Sequence, residues 1–258
     1  MANLSAAEVP PLDLAVSAYK AGKLAEAERH CEQIVAAKPN FFDAVYLLAL
    51  VQSRLGKEQE ALGSYDRALG LEPDRVLLHY NRAQTLANLA RHAEALAGYE
   101  RTIELHPDFA PAHFSRGNIL QVLNRLDEAL ASYDRAIALR PDYYVVHSNR
   151  GNTLQKLKRY DEALACYDRA LALQPDFALA YANRGGAFEA LKRYDEALAD
   201  YDRAIALKPE LPAAYFNRGN ALLAMRRFEE AIASYDRALA SRPGYPGFPR
   251  RSRRSRRS

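Results

Sequence analysis

The sequence predicts an all-α solenoid of about seven antiparallel helix hairpins, and three observations carry that prediction. Pro39, Pro73, Pro107, Pro141, Pro175, Pro209 and Pro243 recur at intervals of 34 residues. Twelve residues before each stands Ala27, Ala61, Ala95, Ala129, Ala163, Ala197 or Ala231; eight before stands Tyr65, Tyr99, Tyr133, Tyr167, Tyr201 or Tyr235, with Cys31 in the first copy. Between these columns the apolar and small residues are spaced helically. One period over most of the chain means stacked repeats, each burying its core only against its neighbours.

With proline as position 32, the repeats run 8–41, 42–75, 76–109, 110–143, 144–177, 178–211 and 212–245, between an N-terminal extension (1–7) and a tail (246–258). In the fifth repeat His147, Gly151 and Leu154 fall at i, i+4, i+7, and Ala163, Tyr167, Ala170 and Leu171 repeat the rhythm, so each half is a helix. The polar run LKRYDE separates the halves. Asp161 and Glu162 lie in the first turn of the second helix, where carboxylates oppose the positive end of the dipole. Pro175 stops that helix, and Asp142 or Asp176 is placed to cap the next one. Position 8 is always small (Ala15, Ala49, Ala83, Gly117, Gly151, Gly185, Gly219), as a close helix approach requires.

Composition narrows the function. The 258 residues are 49% hydrophobic and 26% charged, the balance of a soluble globular protein. There is no apolar run of about 18 residues to span a membrane and no basic-then-apolar start of a secretory signal. Cys31 and Cys166 are too few for a disulfide framework, so the expected location is cytoplasmic. The net charge of +4 comes from the tail PGFPRRSRRSRRS, whose six arginines leave 30 basic against 32 acidic residues elsewhere. That tail is expected to be disordered and is a candidate for nonspecific binding to nucleic acid or an anionic surface.

The Ala, Tyr and Pro columns, with the small position 8, closely resemble the tetratricopeptide repeat. The resemblance implies a right-handed superhelix whose first helices line a concave groove. Three departures stand out: position 4 has no tryptophan, position 7 is arginine in repeats 3 to 7, and the turn glycine survives only as Gly22 and Gly56. Beyond Pro243 no capping helix follows, so self-association through the last repeat is a further expectation.

No phosphate-binding loop, GxSxG or HExxH motif occurs, and the chain reads as non-catalytic, without cofactor or metal. His79, His113 and His147 share position 4, but stacked repeats about 10 Å apart cannot bring them onto one ion, so packing is their reading. Asn81, Asn149, Asn183 and Asn217 share position 6; Asn118, Asn152 and Asn220 share position 9 with Gln84. On a single-helix projection these amides point away from the hairpin core, beside Tyr80, Phe114 and Phe216 at position 5 and Leu77, Val145 and Leu179 at position 2. Amides carry donor and acceptor together and suit a peptide backbone, so this strip is the candidate binding site for an extended partner segment. An asparagine ladder of this kind is similar to that of O-linked N-acetylglucosamine transferases, which implies, as an alternative, the substrate-recognition part of such an enzyme. The position-7 arginines are expected to pair with acids of their own hairpin, such as Asp168, Asp202 or Asp236.

Overall fold

The computed structural model describes residues 10–241, and every element among them is helical. The chain divides into two compact bodies, Met1–Leu139 and Arg140–Ser258. The first holds α1 (Leu12–Lys20), α2 (Leu24–Ala37), α3 (Phe42–Arg54), α4 (Glu58–Leu71), α5 (Val76–Asn88), α6 (His92–Leu105), α7 (Ala110–Val122) and α8 (Leu126–Leu139). The second holds α9 (Tyr144–Lys156), α10 (Tyr160–Leu173), α11 (Ala178–Ala190), α12 (Tyr194–Leu207), α13 (Pro212–Ala224) and α14 (Phe228–Ser241). Within each body the helices pair as hairpins, α1 with α2 through α13 with α14, and each second helix packs on the next first helix. The expected Arg/Ser tail and N-terminal extension lie outside the described residues.

The columns read from the sequence form the core. The position-20 alanines are almost wholly buried, as are Tyr65, Tyr99, Tyr133, Tyr167 and Tyr201, the largest fully buried side chains. In the fourth, fifth and sixth repeats the tyrosine ring lies against position 8 of its own hairpin. A Cβ added at Gly117, Gly151 or Gly185 would come within 2.6–2.7 Å of the Tyr133, Tyr167 or Tyr201 ring, which explains the glycine there. In the third repeat the same closeness is met from the other side: Ala83 occupies position 8, and Gly98 on α6 is the residue that has no room for a Cβ.

The hairpin turn keeps its backbone without its glycine. Position 15 is left-handed in all seven repeats: Gly22 and Gly56 at φ 74°, and Ala90, Asn124, Lys158, Lys192 and Arg226 at φ 57–61°. The loss of glycine therefore changes the energy of the turn and not its geometry. A side chain with a Cβ loses about 1–2 kcal/mol in this region, against about 0.5–1 kcal/mol that glycine loses through unfolded-state entropy. Lys158→Gly, Lys192→Gly and Arg226→Gly combined are expected to stabilise the protein by about 1–2 kcal/mol. The check is a higher urea midpoint at unchanged slope; a lower midpoint would refute it.

Helix starts differ from the sequence expectation. The residues before α9 and α11 are Tyr143 and Phe177, and neither they nor Asp142 or Asp176 supplies a side-chain cap. The turn closes through backbone bonds instead, Tyr143 N–H to the Arg140 carbonyl and Val146 N–H to that of Tyr143. Asp142 and Asp176 pair with Arg140 and Arg203.

Candidate functional site

The first helices of each body carry the candidate strip, and their neighbours change how it is built. At position 9 Asn118, Asn152 and Asn220 are half-buried and Gln84 is exposed, and each accepts from the tyrosine of its own hairpin. The Tyr133 hydroxyl donates to Asn118 Oδ1, Tyr167 to Asn152 Oδ1 and Tyr235 to Asn220 Oδ1, each at 2.8 Å, and Tyr99 to Gln84 Oε1 at 3.4 Å. This corrects the outward orientation drawn from one helix in isolation: the tyrosine hydroxyl needs an acceptor once burial removes water, and position 9 supplies it. Burial also pushes the Tyr99 and Tyr167 hydroxyls above their ordinary range, so they remain donors at any physiological pH.

Position 6 behaves differently. Asn81 Nδ2 donates to the Tyr46 hydroxyl of the preceding repeat at 2.8 Å. Asn149 is half-buried and engaged. Asn183 and Asn217 are half-buried and make no side-chain hydrogen bond among the described residues. The position-5 aromatics lie partly on the core: Tyr80 packs on Tyr99 and Phe109, Phe114 on Tyr133, and Phe216 on Tyr235, with ring centroids 5.2–6.2 Å apart. Leu77 and Leu179 at position 2 are 51% and 46% exposed, large apolar side chains left in water on this face. Leu77 also borders a cleft of about 380 Å³ between the starts of α3 and α5, lined by Phe42, Asp43, Tyr46 and Arg75. Arg75 stacks over the Phe42 ring and pairs with Glu72.

Position 12 also supplies acceptors to the tyrosines and forms no column in the sequence. In the sixth repeat position 9 is Gly186, so the Tyr201 hydroxyl donates instead to Glu189 Oε2 at 2.8 Å, and in the fifth Tyr167 also reaches Gln155 Oε1 at 2.9 Å. Burial raises the Glu189 carboxyl above its ordinary range, and the Tyr201 bond opposes that only in part.

The arginine column pairs mainly across repeats; the expected same-hairpin acid is met at Arg184, through Asp200, and not through the position-25 acids. Arg82, Arg116, Arg184 and Arg218 bind Asp66, Glu100, Asp168 and Asp202, each on the second helix of the preceding repeat. Forward, the guanidinium meets position 23 of its own hairpin: Ser132 for Arg116, Cys166 for Arg150, Asp200 for Arg184 and Ser234 for Arg218. The histidine column is occupied locally. His79, His113 and His147 place Nε2 2.7–3.1 Å from the carbonyls of Pro73, Pro107 and Pro141, and burial lowers His113 and His147 so that the neutral ring, with Nε2–H donating, suits that bond.

Hairpins of one length, with polar and apolar columns repeated along their first helices, define a helical-repeat protein of the interaction type. The chain belongs to the tetratricopeptide repeat family: models described as tetratricopeptide repeat match residues 12–76, 110–143, 144–177 and 212–245, and one described as TPR repeat matches 187–225. No curated protein sequence matches the chain. Among solved structures, a tetratricopeptide repeat protein from Parabacteroides merdae ATCC 43184 is similar over 92% of this chain and 93% of its own, at 21% identity and a TM-score of 0.75. PilW, a type IV pilus biogenesis factor, is similar over 77% of this chain and 92% of its own (22% identity, TM-score 0.71). YrrB, described as a TPR protein with an unusual peptide-binding site, is similar over 70% of this chain and 93% of its own (23% identity, TM-score 0.56). At these identities the likeness is one of fold. No helix of the described residues is long and apolar enough to cross a membrane.

Proposed function

We propose that the chain is a non-catalytic scaffold that holds an extended polypeptide segment against its first-helix face. The observation that carries this reading is the pair Asn183 and Asn217, half-buried amides at one column with no internal hydrogen-bond partner, in a strip that also exposes Leu179. A half-buried amide with no partner inside the protein is left to water, and a peptide backbone offers it both a donor and an acceptor in that water's place. YrrB, which shares the fold, has a peptide-binding site by its description. The position-9 amides Asn118, Asn152 and Asn220, with Gln84, then serve mainly to hold the tyrosines, and the contact role falls on Asn81, Asn149, Asn183 and Asn217 with the position-5 aromatics. The alternative of an O-linked N-acetylglucosamine transferase-like recognition part draws on the same column and is weakened where tyrosines already occupy the amide carbonyls.

The test uses extended peptides selected from a random dodecapeptide display library on the full chain. Asn149→Ala, Asn183→Ala and Asn217→Ala together are expected to weaken their binding at least tenfold, with the helical circular dichroism unchanged. Unaltered affinity in the triple variant would reject the reading.

A further inference from the structure

We propose that the sixth repeat holds a subsite for a cationic side chain, lysine or arginine, of the bound segment, formed by Glu189 over the gap at Gly186. The proposal rests on the peptide-binding reading above and adds a charge preference to it.

Three observations meet at this point. The row of position-9 amides breaks at Gly186, where no side chain projects from α11. A Cβ placed there meets the Gln155 Nε2 at 3.2 Å, a tight contact with the far end of a flexible side chain, and the Tyr201 hydroxyl at 3.9 Å, so the position is bordered by polar groups and opens further when Gln155 shifts. One turn further along α11, Glu189 is half-buried with Oε2 receiving the Tyr201 hydroxyl. No arginine, lysine or histidine pairs with it among the described residues, whereas the paired carboxylates along these hairpins, Asp66, Glu100, Asp168, Asp200 and Asp202, each hold an arginine. A carboxylate withdrawn from water without a cation is unfavourable, and a cation delivered by a ligand removes that penalty. Its raised carboxyl is the expected trace of that unbalanced burial.

The position does not require an acid for folding. The equivalent residue is Gln155 in the fifth repeat, where it accepts the tyrosine hydroxyl equally well. Glu189→Gln is therefore a substitution that the hairpin already tolerates one repeat earlier. Gly186→Asn restores the amide of the neighbouring repeats and fills the gap; Gln155 can yield because the contact is with the far end of a flexible side chain.

The experiment selects dodecapeptides on the full chain from a random display library and measures the enriched peptides by fluorescence anisotropy against the unaltered protein, E189Q and G186N. Support is enrichment of lysine or arginine at one register, with at least a tenfold loss of affinity in E189Q and in G186N, and recovery of the E189Q affinity when that basic residue is replaced by glutamine. Peptides that bind the unaltered protein and E189Q equally would overturn the subsite and leave the groove reading standing. Failure to enrich any peptide would overturn both.

Discussion

Arg184→Ala is expected to cost about 3–5 kcal/mol of stability, because it leaves a buried carboxylate without its cation. Asp200 takes the arginine through both oxygens at 2.7 Å, and its side chain is only 8% exposed. The same guanidinium reaches back to Asp168 at 2.6 Å and lies against the Tyr181 and Phe188 rings. The hydrogen bonds to Asp200, and then the one to Asp168, hold the guanidinium's pKa above its ordinary value against the desolvation that opposes them. Asp200→Ser is the informative partner variant. It recreates the pairing of Arg116 with Ser132 and Arg218 with Ser234, and is expected to cost no more than about 1 kcal/mol. Combined with Arg184→Ala it should recover most of the loss, since no buried charge remains unpaired. Urea unfolding of the three variants decides the matter; an Arg184→Ala effect below about 1 kcal/mol would show that Asp200 finds water instead.

Tyr167→Ala is expected to be as severe, about 3–5 kcal/mol, but for an apolar reason. The ring is fully buried against Gly151, and nothing on that glycine can collapse into the space left behind. Tyr167→Phe separates the ring from its hydroxyl. It removes the donor that Asn152 and Gln155 share, both half-buried and able to be rehydrated, so about 1 kcal/mol is expected. A Phe variant as unstable as the Ala variant would place the weight on the hydrogen bonds and refute the packing account. Thermal melts followed at 222 nm would show which holds.

The fold is legible because a fixed period turns single residues into columns. Pro175 or Tyr167 alone says little, whereas either recurring every 34 residues assigns each helix. The small position 8 is legible for the same reason, and the structure supplies its cause in the tyrosine ring. The corrections arise where an element is read apart from what packs on it: the partner helix at position 9, the preceding repeat at Asn81 and the arginines, and the local backbone at the helix starts. A projection of one helix leaves positions 6 and 9 in solvent, yet the first helices of adjoining repeats flank one another within each body, and Asn81 meets Tyr46 across that gap. A same-hairpin acid lies 18 residues ahead of each position-7 arginine, but the acid 16 residues back is the one that packing brings to it. Asp142 and Asp176 have the residue type of caps, but the backbone closes the turn before a side chain is needed. Glu189 gives no signal as a column, since position 12 varies from repeat to repeat; its meaning depends on Gly186 and Tyr201, which only the packed hairpin brings beside it.

The backward reach of the position-7 arginine bears on how such a chain can change length. Each repeat from the third onward enters with a cation and leaves with an anion on its second helix, so each of these repeats presents complementary edges. Cutting out the 178–211 repeat as a block would bring Arg218 to Asp168 and remove Asp200 together with Arg184, leaving no orphaned charge. Duplicating a block gives the same balance. Gene-level gain or loss in steps of 34 residues is thus electrostatically silent, whereas any other step length would strand one half of a pair.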